Sequence, residues 1–500
     1  MEALIQSAGA SLTLLAVVQA TSLSFVLYAV SVLLSKRIDA TLAPLAAISI
    51  IPIAAMACFW LTFFVPISAL YISLVYWLAV AASFFFAFKL DIHRDAAIAA
   101  ALWWVSVVGL LLWGFGSTGT DQMIELARVR WSHPLPGDNE LPLVFAKALF
   151  GGQIPSPFYG DWLSSDRPPL QTGLYILTRI PCIEINTSYQ IAAVAAQLLI
   201  VPASYLLAMA LRADRITAAI TTVVVFFAPF TLVNGIFVWP KLLTAALLCA
   251  AAAIHFTPLY SKLKGSLLAG VAVGASTAGG LLSHGAGAFT VLGFLAAAIL
   301  TARLASLRYS VAAILSACIL FIPWTAYQKF YDPPGDRLVK WHLAGVEDAK
   351  DDRTAWNAIK DVYSDLTIAQ WLNNAGDKIR FTAAAPAQAF DYTSPAEDVR
   401  GKMFFHPIPA MGFVGILSVL AVLAGVFHST FRPIAIGIIV NYLVWVGLEY
   451  KTVGVVVHQS SLYMLVIPMI MLIVMLGRQR ILTALLASGQ IATAAYYFAY

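Results

Sequence analysis

Residues 42–64 read LAPLAAISIIPIAAMACFWLTFF, a run without one charged side chain. A helix needs about 20 predominantly apolar residues to cross the hydrocarbon of a bilayer, and this run meets that length. Working outward, further apolar runs lie near 11–34, 66–89, 96–117, 189–211, 215–236, 241–256, 264–282, 286–304, 308–329, 407–426, 431–449, 460–477 and 480–499. The expected fold is therefore an all-α polytopic membrane protein with about fourteen spans. Composition agrees: AVILMFWYC supply 61% of the 500 residues, DEKR only 11%, and the mean hydropathy is +0.84. A soluble domain carries roughly a quarter charged residues, and so few charges cannot cover a water-facing surface. Disorder, coiled coil and a nucleic-acid-binding module are excluded with it.

The short connections set the orientation. Lys36/Arg37, Lys89/Arg94, Arg212/Arg215, Lys262/Lys264, Arg303/Arg308, Arg432 and Arg478/Arg480 occupy every second connection. All seven fall on one side, which the positive-inside rule makes cytoplasmic. The net charge of +5 is accounted for by this bias and is no nucleic-acid signature. The start, Met1-Glu2-Ala3-Leu4, lacks the basic region of a cleaved signal peptide. Cys58, Cys249 and Cys318 lie in apolar runs and Cys182 in a loop, so no structural disulfide is expected.

Two long polar segments, about 118–188 and 330–406, fall on the opposite, exoplasmic side. Seven of the 25 acids lie in the first and twelve in the second. The other six sit near expected span ends, and none is mid-membrane. Ion-coupled transporters usually carry ionisable groups near the midplane, so the chemistry here is placed at the outer face. The chain divides into N-terminal spans (1–95), a core with the first long segment (96–329), the second long segment (330–406) and C-terminal spans (407–500). Residues 354–373 read as one amphipathic helix with Trp356, Ile359, Tyr363, Leu366 and Trp371 along a side. Such a helix either lies in the membrane interface or packs on the bundle.

Several residues in these segments can carry chemistry. Asp138, in PLPGDNELP, precedes a run of helical spacing, where an acid is either an N-cap or a general base at a cavity mouth. Glu140 could share that task or help hold a metal. Arg167, fixed beside Pro168-Pro169, suits bidentate recognition of a phosphate or is an ordinary interfacial arginine. Lys241 follows Pro240 at the outer start of a span, where a lysine snorkels or neutralises a lipid phosphate. His284 and His458 lie near outer span ends, where packing is the commoner role of a lone histidine.

Taken together, Pro136-Gly137-Asp138-Asn139-Glu140, Arg167-Pro168-Pro169-Leu170, Leu282-Ser283-His284-Gly285, Ile322-Pro323-Trp324 and His458-Gln459-Ser460-Ser461-Leu462-Tyr463 resemble, in order and spacing, the motifs of a known family. That family is the GT-C superfamily of lipid-linked-sugar glycosyltransferases, especially its aminoarabinose transferase and protein O-mannosyltransferase branches. The resemblance covers about residues 100–475. Here Asn139 splits the acidic pair, three expected spans precede the one that opens into the first long segment, and histidine replaces lysine at 284.

The resemblance implies transfer of a sugar from a polyprenyl-phosphate donor to an acceptor hydroxyl, with inversion, at the outer face of a bacterial inner membrane. Polyprenyl phosphate is already a good leaving group, so one carboxylate suffices as base, unlike the pair a glycoside hydrolase generally needs. Asp138 or Glu140 would be that base. Arg167, Lys241, His284 and His458 would hold the donor phosphate. The alternative to these cations is a divalent metal (Mg or Mn) on Asp138 and Asp166; otherwise no cofactor is expected. The partners would be the donor, membrane lipids and a glycan, lipid or protein acceptor. A non-catalytic scaffold binding lipid-linked glycan is the main alternative, and a lipid or glycan flippase the other.

Overall fold

The structure, a computed structural model, describes residues 2–87, 93–116, 122–132, 134–346, 348, 351–450 and 461–499. Lys89, Lys451 and His458 lie outside them. The described residues are helical and turn structure with no strand; the only ladder-like feature among them is an isolated bridge between Tyr159 and Trp162. Every apolar run named above coincides with a helix or a bent helix pair. Their lengths differ from expectation, however. Among the described residues six helices are long and apolar enough to cross a membrane, or seven if the bent pair counts as one span. Other apolar helices, such as Lys241–His255 and Tyr463–Met475, have only 10–17 residues. The protein is an integral membrane protein whose spans are partly short or broken.

Burial explains why short helices suffice. The most apolar 18 residues of Ile185–Ala210 are all buried, whereas only 22% of the corresponding stretch of Leu307–Tyr331 is. Lys241–His255 and Tyr463–Met475 are likewise enclosed by other helices. An inner layer packed on protein need not match the bilayer thickness, because its ends are satisfied by neighbours. The outer helices present Leu78, Ile299, Leu307 and Ile319 outward, all strongly exposed. Small residues let the layers close: a Cβ at Gly274 would collide with the Ala313 carbonyl of the neighbouring helix.

The bent pair Arg215–Phe226 and Pro229–Phe237 meets at 64°. Pro229 has no N–H to give the preceding turn, so the ladder ends there and restarts from Ala228. The second helix then stops at Val238, whose φ of +53° is unusual for a β-branched residue. That turn, followed by Trp239-Pro240, delivers the N-terminus of Lys241–His255 to one end of the bundle.

The basic connections gather at the other end. Arg215 Nε donates to Asp95 at 2.6 Å, and Arg480 Nη2 pairs with Asp214 at 2.8 Å. His93 Nε2 lies 2.9 Å from the Ala40 carbonyl, and Arg303 donates to the carbonyls of His255 and Thr257. Opposite them, the two long polar segments dock on one another. Ser164 Oγ donates to Asp332 at 2.6 Å, Gln328 Nε2 to the Ser165 carbonyl at 3.0 Å, and Arg337 to Asp161 at 2.8 Å. Beneath that seam Trp324 stacks on Tyr327 and meets Phe59 edge-on. Residues 354–373 are not one helix. Ala355–Ser364 ends before Thr367, whose hydroxyl and the Gln370 side chain form a capping box that starts Ile368–Ala383. Trp356 faces outward, while Tyr363 and Trp371 donate to the carbonyls of Leu448 and Gly447.

Candidate active site

The acidic motif folds as a 3-10 turn, Gly137–Glu140, ahead of the helix Leu141–Phe150. Pro134, Pro136 and Pro142 disfavour a longer regular element there. With three residues per turn, successive side chains leave about 120° apart, so Asp138, Asn139 and Glu140 part company. Asn139 turns inward, fully buried, and its Nδ2 donates to the Ile124 carbonyl. Asp138 makes no cap; its Oδ2 accepts from Arg167 Nη2 at 2.5 Å. Glu140 goes elsewhere, within electrostatic reach of Glu125, Arg128 and Lys147. Burial and then Glu125 push its carboxyl above the usual range. A side chain at Gly137 would displace Tyr159, since a Cβ there would lie 2.6 Å from its hydroxyl.

Arg167 follows a second 3-10 turn, Ser164–Asp166. Its guanidinium lies 4.4 Å from the Trp162 ring centre, and Arg337 from the second long segment lies 3.9 Å from the same ring. Asp166 is buried and does not face Asp138. One oxygen accepts from the Leu163 N–H at 2.9 Å, and the carboxyl is also hydrogen-bonded by the Arg337 backbone. Burial raises its pKa, and those hydrogen bonds and the two arginines oppose the rise. Asp166 thus ties the two segments together. Among the described residues no group of three or more His, Cys, Asp or Glu side chains could hold a metal. With Asp138 on Arg167 and Asp166 turned away, the donor set does not fit a divalent ion.

Lys241 opens its helix from a buried position. Its Nζ lies 4.3 Å from the Trp239 ring centre, and the His284 ring packs edge-on against the same indole at 5.8 Å. His284 Nδ1 accepts from the Ala286 N–H, and Ser283 Oγ donates to the Pro240 carbonyl. Asp138, Arg167 and Glu449 are all within electrostatic reach of Lys241. The fold thus brings together Asp138, Arg167, Lys241 and His284. Glu140 and Asp166 point away, and His458 is outside the described residues.

A chain of uncharged polar side chains holds this convergence. Tyr189 OH donates to the Asn139 carbonyl at 2.7 Å. Gln171 Nε2 donates to that hydroxyl and to the Val238 carbonyl, both at 2.9 Å. Gln197 Nε2 donates to Gln171 Oε1 at 2.7 Å, and its own Oε1 accepts from the N–H groups of Leu242 and Leu243. The three elements bearing Asp138, Arg167 and Lys241 are thereby fixed by one buried network, which also holds the left-handed Val238. Networks of this kind rigidify when every member is satisfied. None of these residues, nor Trp162 and Arg337, was singled out from sequence. The available signal was glutamine at 190 and 197 inside an otherwise apolar run.

No protein-family model matches the chain, and no curated protein matches it. Among solved structures, ArnT from Cupriavidus metallidurans in the apo state is similar over 74% of this chain and 78% of that one, with 13% identity and a TM-score of 0.31. The same protein bound to undecaprenyl phosphate is similar over 75% and 78%, with 13% identity and a TM-score of 0.33.

Proposed function

We propose that the protein is a membrane glycosyltransferase that moves a sugar from a polyprenyl-phosphate donor to an acceptor hydroxyl, with inversion, at the outer membrane face. The observation that carries this reading is the convergence of Arg167, Asp138 and Lys241 at the end of the bundle remote from the basic connections. A departing lipid phosphate needs fixed cations beside it, and a site shielded from water strengthens their pull. Arg167 offers a fork for phosphate oxygens, and Asp138 orients it. Lys241 and His284, clasped around Trp239, supply a second cation and a polar wall. The lipid tail of the donor would lie along the apolar helices and its head group against these residues. Nucleophilic attack opposite the phosphate inverts the anomeric carbon. No metal is invoked, because the carboxylates do not assemble a ligand set.

The purified protein, given labelled polyprenyl-phosphate sugars and a panel of glycan, lipid and protein acceptors, should transfer label. Arg167→Ala should lower transfer about 100-fold or more, mainly through donor affinity. Wild-type protein that binds the donor and never transfers it would instead favour a non-catalytic scaffold. Unchanged donor affinity in Arg167→Ala would remove the phosphate assignment.

A further inference from the structure

Ile368–Ala383, from the second long segment, docks on the end of the span Arg432–Leu448. Trp371 Nε1 donates to the Gly447 carbonyl at 2.9 Å and Lys378 Nζ to the Val446 carbonyl at 2.8 Å. Those contacts are seven residues apart on the docked helix, about 10 Å along it, but adjacent on the span. The docked helix therefore lies across the span rather than along it. Tyr363 on the Leu448 carbonyl at 3.2 Å, and His342 against Glu449 at 3.0 Å, fasten the rest of the segment to the same end.

That span is short. Its 17 residues measure about 25 Å at 1.5 Å per residue, and it starts from the basic connection of Arg432. The hydrocarbon of a bilayer is about 30 Å thick. The last turn of the span, and the helix lying across it, are thus still level with lipid on the polar side.

The docked helix has three faces where packing alone would need two. Ala375 and Lys378, its buried residues, face the bundle. At about 100° per residue, Ile368, Leu372 and Ile379 fall within about 40° of one another, on a flank of that face. All three are bare, between 48% and 78% exposed. Asn373, Asp377 and Arg380 share a third arc about 60° wide, and there Asp377 pairs with Arg380 at 3.3 Å in the open. A helix resting on protein in water shows one apolar and one polar face. A second, bare apolar flank suits a helix whose edge enters lipid. Leu443 and Leu448 of the span are exposed as well, so the flank continues the apolar surface of the bundle. Trp356 and Trp371, both exposed, are of the type that gathers at the membrane boundary.

We propose that the leaflet on the polar side covers Ile368, Leu372 and Ile379, so that Ile368–Ala383 is an in-plane membrane helix seating the second long segment on the bilayer. The lipid supplies the apolar contact that the short span leaves open. Asp377 and Arg380 stay in water above it.

Site-directed spin labelling of the full chain in phosphatidylcholine vesicles tests this. Ile368→Cys, Leu372→Cys, Ile379→Cys, Asn373→Cys and Asp377→Cys are made singly after Cys58, Cys182, Cys249 and Cys318 are changed to alanine. Oxygen, which concentrates in hydrocarbon, should relax labels at 368, 372 and 379 more than a water-soluble nickel chelate does. The ratio should invert at 373 and 377. Nickel dominating at 368, 372 and 379 would show an arc facing water, as a docking face for a soluble partner must, and overturns the proposal. Shielding from both reagents would mean that residues 451–460 or a second copy of the chain cover the arc, and overturns it too. Should the cysteine-free protein fail to fold, the wild-type protein is irradiated in the same vesicles doped with a diazirine-bearing phosphatidylcholine. Lipid adducts within residues 368–379 are then expected, and their absence overturns the proposal.

Discussion

The two ends of the helical bundle use the same ionic vocabulary in opposite settings. At the end of the basic connections, Arg215 and Asp95 keep 49% and 27% of their side chains exposed, and Arg480 and Asp214 keep 47% and 50%. At the end of the long polar segments the figures fall to 14% and 15% for Arg167 and Asp138, and 15% and 1% for His342 and Glu449. An exposed pair is worth about 0–1 kcal/mol and is easily replaced by water. A buried pair costs desolvation, is weak grounds for stability, and damages the fold when one partner is removed. Under the proposed function, charges kept at that cost beside a network of buried glutamines serve the donor phosphate.

The sharpest way to break this contrast is Gln197→Leu. It strands Gln171 Oε1 and the N–H groups of Leu242 and Leu243. Each buried group left without a partner costs about 1–3 kcal/mol, so a loss of roughly 3 kcal/mol or more is expected on denaturation in detergent. Transfer should fall with it, because the turn that delivers Lys241 would no longer be tied to the helix that follows Arg167. If Gln197→Leu were neutral, the network would be incidental and the contrast between the ends would fail. Arg167→Ala comes next. It leaves Asp138 buried without its cation and should cost about 2–3 kcal/mol. Adding Asp138→Asn to it should recover part of that loss, since the uncompensated charge is removed. A double variant no more stable than Arg167→Ala would mean that the pair is not desolvated at all.

The same contrast explains how much the sequence disclosed. Apolar runs and loop charges obey strong solvent rules, so helix positions, the basic end and the polar end were legible. Asp138, Arg167, Lys241 and His284 stood out as candidates because charged or polar residues at span ends do so. Span lengths were not, since burial against protein rather than lipid shortens Lys241–His255 and breaks the chain at Pro229. The directions of Asp138, Glu140 and Asp166 depend on two 3-10 turns, and turn type is not marked by hydrophobic period. Gln171, Gln197 and Tyr189 escaped notice because a single uncharged polar residue barely alters a hydropathy window. Arg337, His342 and Glu449 escaped because their meaning depends on docking between distant segments.

The smallest effect separates paired, exposed carboxylates from buried ones by the sign of their response to acid. Burial would raise Asp214, but the Arg480 guanidinium and the hydrogen bonds of Thr217 outweigh it and hold the carboxyl down at about 2. A depressed carboxylate stabilises the fold above its unfolded value near 3.8, and that contribution disappears as pH falls through about 2. Glu140, Asp166 and Glu449 are shifted up. Their contribution is therefore present below the ordinary carboxylate value and fades as pH rises through their folded values. Asp161 at the polar end, held down by Arg337, loses its contribution in acid as Asp214 does, so the sign divides the carboxylates and not the whole ends. Hydrogen exchange between pH 4 and pH 2 should show protection falling around residues 212–217 and 478–483 before it falls around Glu140 and Asp166. Asp214→Asn should cost about 0.2–1 kcal/mol at neutral pH, discounted for its exposure, and make progressively less difference as pH falls through about 2, where half of the wild-type carboxyls are protonated. Faster acid-induced exchange around Glu140 and Asp166 than around Asp214 would overturn this division, because the buried carboxylates would then be the ones that need their charge.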